Sequence, residues 1–458
     1  MSDPAFLLTV LGGVILAAPA ALLSAFFGAF LLDRRLPEVA VGRLIQAAIG
    51  TGLVATLLAA GIMLRLGVSQ HPIVLGDWTI TPSYHLKFAV VLDTLSLAYL
   101  LLTFLLCGTI GAFSTRYLHR ERGYGRFFTL FALFLLGMVT TALSDTVETL
   151  FAGWELVGLS SVLLIAFFHE RPAPARNGLR VWIVYRLCDV SLLLAAILMH
   201  EINGAGDFDH LVGQSAWPGH DPLPAAPHLT LLGALFVAAA AGKSALLPFS
   251  GWLPRAMEGP TPSSAVFYGA LSVHLGAFLL LRVSPVLDTS PWLSALVVVL
   301  GLGTASFAYV VGRVQSDIKS GLAFASLTQV GLIIAEIGLG LRYVALLHLL
   351  GHACLRALQF LRAPSLLHDH HQLENAIGSR PREEAAIWEQ RLPEPIQRRL
   401  YRFALERGGL DSLLDRYVAR PFVACFRRLD RLEMAWARRL DGESPESPPS
   451  RTQGPSIP

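Results

Sequence analysis

Ionisable residues stand inside several apolar stretches of this sequence, and their types are those that exchange protons. Glu155 lies in "LFAGWELVGLSSVLL", Lys243 in "VAAAAGKSALLPFSGWLP" and His274 in "FYGALSVHLGAFLLL". Lys319 lies in "SDIKSGLAFAS", near the start of another apolar stretch. An ionisable group deep in a membrane is rare and is a candidate functional site by default. Burial disfavours the charged form of each group and an opposite charge favours it, so neighbouring groups alter one another's proton affinity.

Three further ionisable residues, His348, His352 and Arg356, follow one another at intervals of four in "HLLGHACLRALQF". This spacing places them on one face of one helix. Arg186 and Asp189, one turn apart, could supply supporting charge. Acid, lysine and histidine groups on separate helices can form a hydrated proton relay. The predicted proton or cation path consists of Glu155, Lys243, His274, Lys319, His348 and His352.

Simpler interpretations exist for several of these residues. Lys319 could extend its ammonium group to the membrane surface, and Glu336 could be hydrated at the outer interface. A lone histidine such as His274 is commonly a hydrogen-bonded core residue. A histidine pair spaced by four can bind zinc, but no third ligand is evident on that helix. We therefore predict no metal site and no catalytic residue in this chain.

Prolines cluster directly after Lys243. Pro248 and Pro254 follow within one segment, and Pro260 and Pro262 stand in the next. Prolines at this density break a helix. Irregular backbone is tolerated within a membrane only where protein buries it or a cavity hydrates it. The sequence therefore predicts that Lys243 lies beside a hydrated break in a helix.

The composition predicts that these residues are positioned by membrane-spanning helices. Hydrophobic residues make up 53% of the 458 positions and charged residues 15%, against about 25% charged in soluble domains. A bilayer core requires about 20 apolar residues per helix. We predict an all-α polytopic transmembrane bundle over residues 1–362, with discontinuous helices. Its eleven spans lie near 6–32, 43–65, 88–112, 127–144, 146–168, 179–200, 229–249, 263–283, 292–312, 318–338 and 342–362.

Basic residues predict the orientation of the bundle. They occur in the connections after the first, third and fifth predicted spans, and the loop 201–228 contains no lysine or arginine. Positively charged connections stay in the cytoplasm. We therefore expect a multi-pass protein of a bacterial inner membrane, with its N-terminus outside and its C-terminus in the cytoplasm.

A charged segment follows the predicted bundle over residues 363–441. Apolar side chains recur there at helical spacing, with arginines and acids on the opposite face. Three interpretations compete: a helix on the membrane surface, a docking helix for a cytoplasmic partner, and packing against the chain's own bundle. We predict partner docking by Leu410, Leu414, Tyr417, Phe422 and Phe426. Residues 442–458 read as disordered.

Four segments resemble a known family. "LFAGWELVGLSSVLLIAFFHERPAPARNGLRVWIVYRLCDVSLLL", "AAGKSALLPFSGWLPRAMEGPTPSSA", "VQSDIKSGLAFASLTQVGL" and "HLLGHACLRALQF" are similar to antiporter-like proton-translocating subunits of respiratory complex I and of Mrp antiporters. By this resemblance Glu155 matches the family's membrane glutamate and Lys243 the lysine of its broken helix. Lys319 matches the lysine of its "DIK" segment, and His348 and His352 match its central histidine pair.

The sequence also departs from the family pattern. Arg356 stands where the family usually has a lysine, and arginine stays protonated in proteins, so it is expected to act as a fixed charge or gate. "VFYGALSVHLGAF" replaces an "IHAATMV"-type stretch. The family's later helices, including the one with its terminal lysine, and a long lateral helix are expected to be missing.

These departures resemble a narrower group, the membrane subunit of the DAB inorganic-carbon-accumulation complex. The resemblance implies a large cytoplasmic zinc partner with a carbonic-anhydrase-like site, and a membrane subunit whose cation flow, expected to be H⁺, energises one-way hydration of CO₂ to bicarbonate. The chain itself would then be a coupling subunit without a cofactor, with partner and lipid but no nucleic acid as its contacts. The alternatives are a redox-linked proton pump subunit of a complex I-like assembly and an Mrp-type Na⁺/H⁺ antiporter subunit.

Overall fold

The fold is a bundle of apolar helices, as the sequence predicts. The computed structural model describes residues 3–81, 85–212, 217–219, 223, 226–377 and 392–440. Within those residues ten helices are long and apolar enough to cross a membrane. The chain is therefore a multi-pass membrane protein, and the predicted fold class is confirmed.

The helices that form the bundle have the following bounds: α1 Pro4–Leu31, α2 Glu38–Leu66, α3 Thr94–Tyr117, α4 Tyr124–Leu143, α5 Val147–Ile165, α6 Pro172–Asn203, α8 Pro227–Lys243, α10 Thr261–Ser264, α11 Leu275–Arg282, α13 Pro291–Gly312, α14 Ile318–Gly338 and α15 Arg342–Ile377. Short helices connect them: α7 Phe208–Val212, α9 Trp252–Arg255 and α12 Ser284–Asp288. The predicted domain boundary at residue 362 falls inside α15.

The span predicted at 229–249 is shorter than expected. α8 ends at Lys243 after 17 residues, the non-helical residues 244–248 follow, and consecutive short helical turns then run from Phe249 to Glu258. Ala245, with a φ of 55°, turns the chain out of the helix. The indole N–H of Trp252 donates to the Gly242 carbonyl at 3.0 Å. One helix is therefore broken beside Lys243, as predicted, and a side chain gives a carbonyl at the break a donor in addition to the Ala245 N–H.

A second break lies in the span Thr261–Arg282. Between α10 and α11 the chain forms a π-helical segment, Ala265–Ala270, and a 3₁₀ turn, Ser272–His274. Such segments are common at functional sites because they free backbone carbonyls and re-aim side chains. His274 stands at the end of this irregular segment.

A β-hairpin departs from the all-helical prediction. Strands β1, Gln70–Ile80, and β2, His85–Asp93, pair antiparallel with Gln70 opposite Asp93. The third predicted span, 88–112, was wrong at its start, because β2 continues to Asp93 and α3 begins at Thr94. Short apolar runs such as "FAVVL" do not distinguish a strand from a buried helix.

Close packing of the helices depends on pairs of glycines. A side chain on Gly137 of α4 would lie 2.8 Å from the Val157 nitrogen of α5. A side chain on Gly301 of α13 would meet the Gly331 carbonyl of α14 at 2.5 Å. Small residues let membrane helices approach until their backbones touch. These contacts hold α5 and α14, which carry Glu155 and Lys319.

The tail after α15 contains α16, Glu394–Leu405, α17, Leu410–Leu414, a π-helical turn, and α18, Arg420–Leu440. Phe403 packs edge-on against Phe307 of α13, with ring centroids 6.1 Å apart. Arg180 of α6 pairs with Asp415 at 2.6 Å. Of the three interpretations, packing against the chain's own bundle therefore holds for residues 394–419. The segment predicted to be disordered, 442–458, lies outside the described residues.

The predicted partner-docking residues fall into two groups. Leu410 packs against the bundle core, and Leu414 lines a small cleft with Val184 and Trp252. Tyr417 and Phe426 are exposed, and Phe422 is half-buried. Docking by the second group stays a prediction, whereas the first group is already engaged with the bundle.

A buried ion pair ties the hairpin to the second broken span. Arg282, at the end of α11, donates to the carboxylate of Asp93 and, at 2.9 Å, to the Ser96 hydroxyl. Asp93 also accepts the Ser96 backbone N–H at 2.7 Å and so caps α3. Both side chains of the ion pair are buried. Each charge therefore depends on the other for solvation.

Removing one partner of this pair is expected to destabilise the fold. Arg282→Gln leaves the Asp93 carboxylate buried without its counter-charge and should cost about 3 to 5 kcal/mol. Unfolding of the purified chain in detergent measures this loss. The double variant Asp93→Asn/Arg282→Gln, which removes both charges and keeps the cap, should recover much of the stability. A double variant no more stable than Arg282→Gln would contradict this role of the pair.

Asp145 lies beside that pair, in the connection between α4 and α5, and is only 6% exposed. Burial raises the pKa of Asp145 to about 6, from an ordinary value of 3.8, and the nearby Asp209 carboxylate adds to the shift. Arg282 opposes it. The folded state therefore binds this proton more tightly than the unfolded state does, so the resulting stability is complete below pH 3.8 and is lost as pH rises through about 6.

Asp145→Asn should remove this pH dependence. The variant should be more stable than the native chain at neutral pH by on the order of 2 kcal/mol, and the difference should disappear in acid. Thermal unfolding in detergent across that pH range checks it. Asp77→Asn, in the exposed hairpin, serves as the control that should retain the native dependence. If the native chain and Asp145→Asn showed the same pH dependence of stability, Asp145 would not be its source.

Candidate functional site

Lys243 is buried at the C-terminal end of α8, with 1% of its surface exposed. Its ammonium group donates to the Trp154 carbonyl at 3.0 Å. It lies 4.9 Å from the centre of the Trp154 ring and 4.7 Å from that of Tyr185. Aromatic faces attract a cation, most strongly where water is excluded. Gly158 leaves room for the ammonium group, since a side chain there would lie 3.3 Å from it.

Two carboxylates near Lys243 are held by one arginine. Arg186 of α6 contacts Glu155 of α5 at 2.5 Å and Asp189 of its own helix at 2.8 Å. The Trp154 indole donates to the other oxygen of Asp189 at 2.6 Å. The structure therefore brings four predicted residues together, Glu155, Arg186, Asp189 and Lys243. We call them the lysine cluster.

A chain of hydrogen bonds with a fixed direction joins α15 to the irregular segment that contains His274. Arg356 Nε donates to His352 Nε2 at 3.2 Å, His352 Nδ1 lies 3.0 Å from His274 Nε2, and His274 Nδ1 lies 2.6 Å from the Ala270 carbonyl. A carbonyl can only accept and a guanidinium can only donate. Arg356 therefore donates to His352, His352 donates to His274, and His274 donates to the Ala270 carbonyl. The imidazoles are then neutral, and each donates through Nδ1. A second proton on His352 requires its bond from Arg356 to break.

His348 of α15 has a different environment. Its Nδ1 lies 2.8 Å from Glu336 Oε1, and its Nε2 lies 3.0 Å from Gln329 Oε1. Both ring nitrogens thus face oxygen acceptors, an arrangement that accommodates a protonated, cationic imidazole. The centre of its ring is 6.3 Å from that of His352. We call His274, His348, His352 and Arg356 the histidine cluster.

Hydroxyl groups lie between the two clusters. The Ser244 hydroxyl, next to Lys243, donates to the Val273 carbonyl, next to His274, at 2.6 Å. The buried hydroxyl of Tyr185 faces Ser272 but lies beyond direct hydrogen-bond reach among the described residues. Such spacing between buried polar groups suits a bridging water. Ser244, Tyr185 and Ser272 therefore place hydroxyl groups between the two clusters.

Lys319 stands apart from both clusters. At the first turn of α14, it contacts the carbonyls of Met257 and Gly259 at 3.4 and 3.3 Å, and these lie in the segment that follows the broken helix. Its side chain is partly buried. Its membership of the predicted path stays a prediction, as it does for the other path residues, and its observed contacts tie α14 to the irregular segment.

Four further polar residues were not predicted. Trp154 and Tyr185 are neighbours of Glu155 and Arg186, and their aromatic side chains resemble ordinary core residues in the sequence. Gln329 in "SLTQVGL" could have been recognised from the sequence, because an amide side chain within an apolar helix is unusual. Nothing in the sequence distinguishes Ser272 as a site residue. In the described part of the chain no group of three or more histidine, cysteine or acidic residues has the geometry to hold a metal ion.

Two family models match this sequence. The transmembrane family described as NADH:quinone oxidoreductase/Mrp antiporter matches residues 144–379. The N-terminal family of complex I chain 5 matches residues 78–128. The first match contains every residue of both clusters.

Curated relatives include organellar proteins. The chain is 33% identical over 309 residues to chloroplastic NAD(P)H-quinone oxidoreductase subunit 5 of Nephroselmis olivacea, covering 67% of this chain and 47% of the relative. It is 31% identical over 324 residues to NADH-ubiquinone oxidoreductase chain 5 of Cryptococcus neoformans, covering 70% of this chain and 48% of the relative. The chain thus spans about half the length of these relatives.

Solved structures share the fold. A chain of the Mrp complex from Dietzia sp. superposes with a TM-score of 0.62 at 25% identity, covering 84% of this chain and 39% of that one. A chain of the archaeal membrane-bound sulfane sulfur reductase superposes with a TM-score of 0.64 at 18% identity, covering 76% of this chain and 70% of that one. At this identity the match supports the shared fold and nothing further. With the family match over half of its length, the chain belongs to the NADH:quinone oxidoreductase/Mrp antiporter transmembrane family.

Proposed function

We propose that this chain is a proton-translocating, antiporter-like subunit of a larger membrane assembly. One observation carries the proposal: the two clusters bring buried ionisable side chains, among them Lys243, Asp189, His274 and His352, together at two helix breaks with hydroxyl groups between them. Ionisable groups are costly to bury within a membrane bundle, and where they occur they commonly mark an ion or proton pathway. The family to which the chain belongs supports the same reading.

Arg186 would control the lysine cluster. In the observed arrangement it holds both Glu155 and Asp189, and Lys243 is left with a carbonyl and two ring faces. If Arg186 turns away, the carboxylates become free to pair with the Lys243 ammonium. Exchange between these two pairings would change how strongly Lys243 holds its proton, because an opposite charge favours the charged form.

A proton released by Lys243 would pass through the hydroxyl groups near Tyr185 and Ser272 to His274. His274 would accept it on Nε2 and pass it to His352 Nδ1 once His352 has moved its own proton to Nε2, a change that breaks the bond from Arg356. Arg356 does not give up its proton, so the relay cannot continue through it. The route would instead turn to His348, whose acceptor Glu336 is the next group able to take a proton. Arg356, held by Gln359 at 2.6 Å, acts as a fixed charge.

Lys243→Met should abolish proton flux. The apolar side chain preserves volume but cannot carry a proton, so flux should fall to the level of empty vesicles. The purified assembly is reconstituted into vesicles with a trapped pH-sensitive dye. Glu155→Gln should act in the same direction, because it removes one carboxylate from Arg186.

Lys87→Met is the matched control. Lys87 pairs with Asp207 at 2.8 Å, outside both clusters, so the same change there should leave flux intact. Size-exclusion chromatography shows whether each variant still assembles. Native flux in an assembled Lys243→Met variant would refute the relay.

For the type of assembly, the comparisons give more support to a redox-linked or Mrp-type complex than to inorganic carbon uptake. The relatives named above are quinone oxidoreductase subunits, and a structural match belongs to an Mrp complex. We therefore favour a complex I-like or Mrp-type partner set, embedded in lipid.

The role in inorganic carbon accumulation is a second candidate. Besides the resemblance of the sequence to that membrane subunit, the exposed apolar face of α18, which includes Phe426 and Leu429, favours a cytoplasmic partner. The partner would carry the zinc and the hydration chemistry. Orientation with the C-terminus in the cytoplasm is part of this proposal.

Co-expression with such a zinc protein decides between the two candidates. Growth of a carbonic-anhydrase-deficient host in air should be restored by the native pair and not by the pair with Lys243→Met. Failure of the assembled native pair would exclude the carbon role while leaving proton flux in vesicles as a separate question. Co-purification with redox subunits would favour the first candidate.

A further inference from the structure

A cleft rich in arginine lies between α6 and α18, at the end of the bundle where α6 begins. Its volume is about 740 Å³. Five arginines line it, with Asp415 as the single acid: Arg176, Arg180, Arg420, Arg427 and Arg431. Asp415 is engaged by Arg180 at 2.6 Å. The cleft therefore has a strong excess of positive charge.

Among the residues that the structure describes, most of this charge has no protein counter-ion, since no ion pair there involves Arg176, Arg420 or Arg427. Arg431 donates to the Arg427 carbonyl at 3.2 Å. Guanidinium groups that converge from two helices suit an anion with several oxygens, and phosphate is the anion that arginine binds best in this way.

An apolar stripe continues from the cleft along α6. Leu179 lines the cleft. Leu187, eight residues further on, lies on the same helix face, and Val190, Leu194 and Ile197 follow it at intervals of three or four residues. Each of the five side chains is about half exposed. This spacing places the stripe on one helix face, and Arg176 and Arg180 stand at its head. The surface therefore offers a cationic site followed by an apolar track within the membrane-spanning length of α6.

We propose that the cleft binds the phosphate headgroup of an anionic phospholipid, whose acyl chains lie along the α6 stripe. The cleft supplies the charge complementarity, and the stripe selects a lipid over a free anion. Clusters of arginine at the end of a membrane helix attract anionic headgroups. Helical spacing of α18 puts Arg420, Arg427 and Arg431 on the side opposite Phe422, Phe426 and Leu429. Lipid binding therefore leaves the apolar face of α18 free for a protein partner.

Native mass spectrometry of the full purified chain in detergent tests this site. The probes are phosphatidylglycerol and phosphatidylcholine with identical acyl chains, and inorganic phosphate as a competitor. Phosphatidylglycerol should bind more tightly than phosphatidylcholine. Arg176→Gln/Arg420→Gln/Arg427→Gln should weaken its binding by roughly 100-fold, which corresponds to about 3 kcal/mol.

Arg428→Gln/Arg438→Gln/Arg439→Gln is the matched control, since it removes the same charge from α18 without touching the cleft. It should retain native binding of phosphatidylglycerol. Excess phosphate should displace little lipid, because it lacks the acyl chains. Three results would each overturn the proposal: equal binding of the two lipids to the native chain, equal losses in the two triple variants, or full displacement by phosphate.

Discussion

The cost of holding the Lys243 ammonium group inside an apolar bundle governs much of this structure. Lys243 is almost completely buried, so its charge must be stabilised by groups that the fold supplies. The break after α8, the aromatic faces of Trp154 and Tyr185, and the room left by Gly158 all serve this purpose. The carboxylates that could neutralise the ammonium are held instead by Arg186. This competition for counter-charge makes the lysine a candidate switch rather than a structural ion pair.

The two helix breaks have related roles. Each interrupts a span at the level of a titratable side chain, Lys243 in one and His274 in the other. The contact between Ser244 and the Val273 carbonyl joins the breaks directly. Irregular backbone supplies polar groups where a continuous helix would present only apolar side chains. The hydroxyl groups between the clusters therefore depend on the same features that interrupt the helices.

The tail adds a separate surface to this membrane core. Residues 394–419 are packed against the bundle, whereas α18 exposes both a basic face and an apolar face. The basic face closes a cleft with α6, and the apolar face points away from it. One helix can thus contact lipid headgroups and a protein partner at the same time, since its two faces have opposite chemical character.

The sequence by itself determined the helical class, the break beside Lys243 and the residue types of the proposed relay, because apolar length, proline density and intramembrane charge are local properties. The tertiary structure decided which of these side chains contact one another. Arg186 bridges Glu155 and Asp189, and His274 meets His352 from a different span, at separations that periodicity within one helix does not encode. The β-hairpin was missed because a short apolar run fits either a strand or a helix, and pairing with a second strand decides between them. Contacts between distant segments therefore fix the site, while local sequence fixes the elements that carry it.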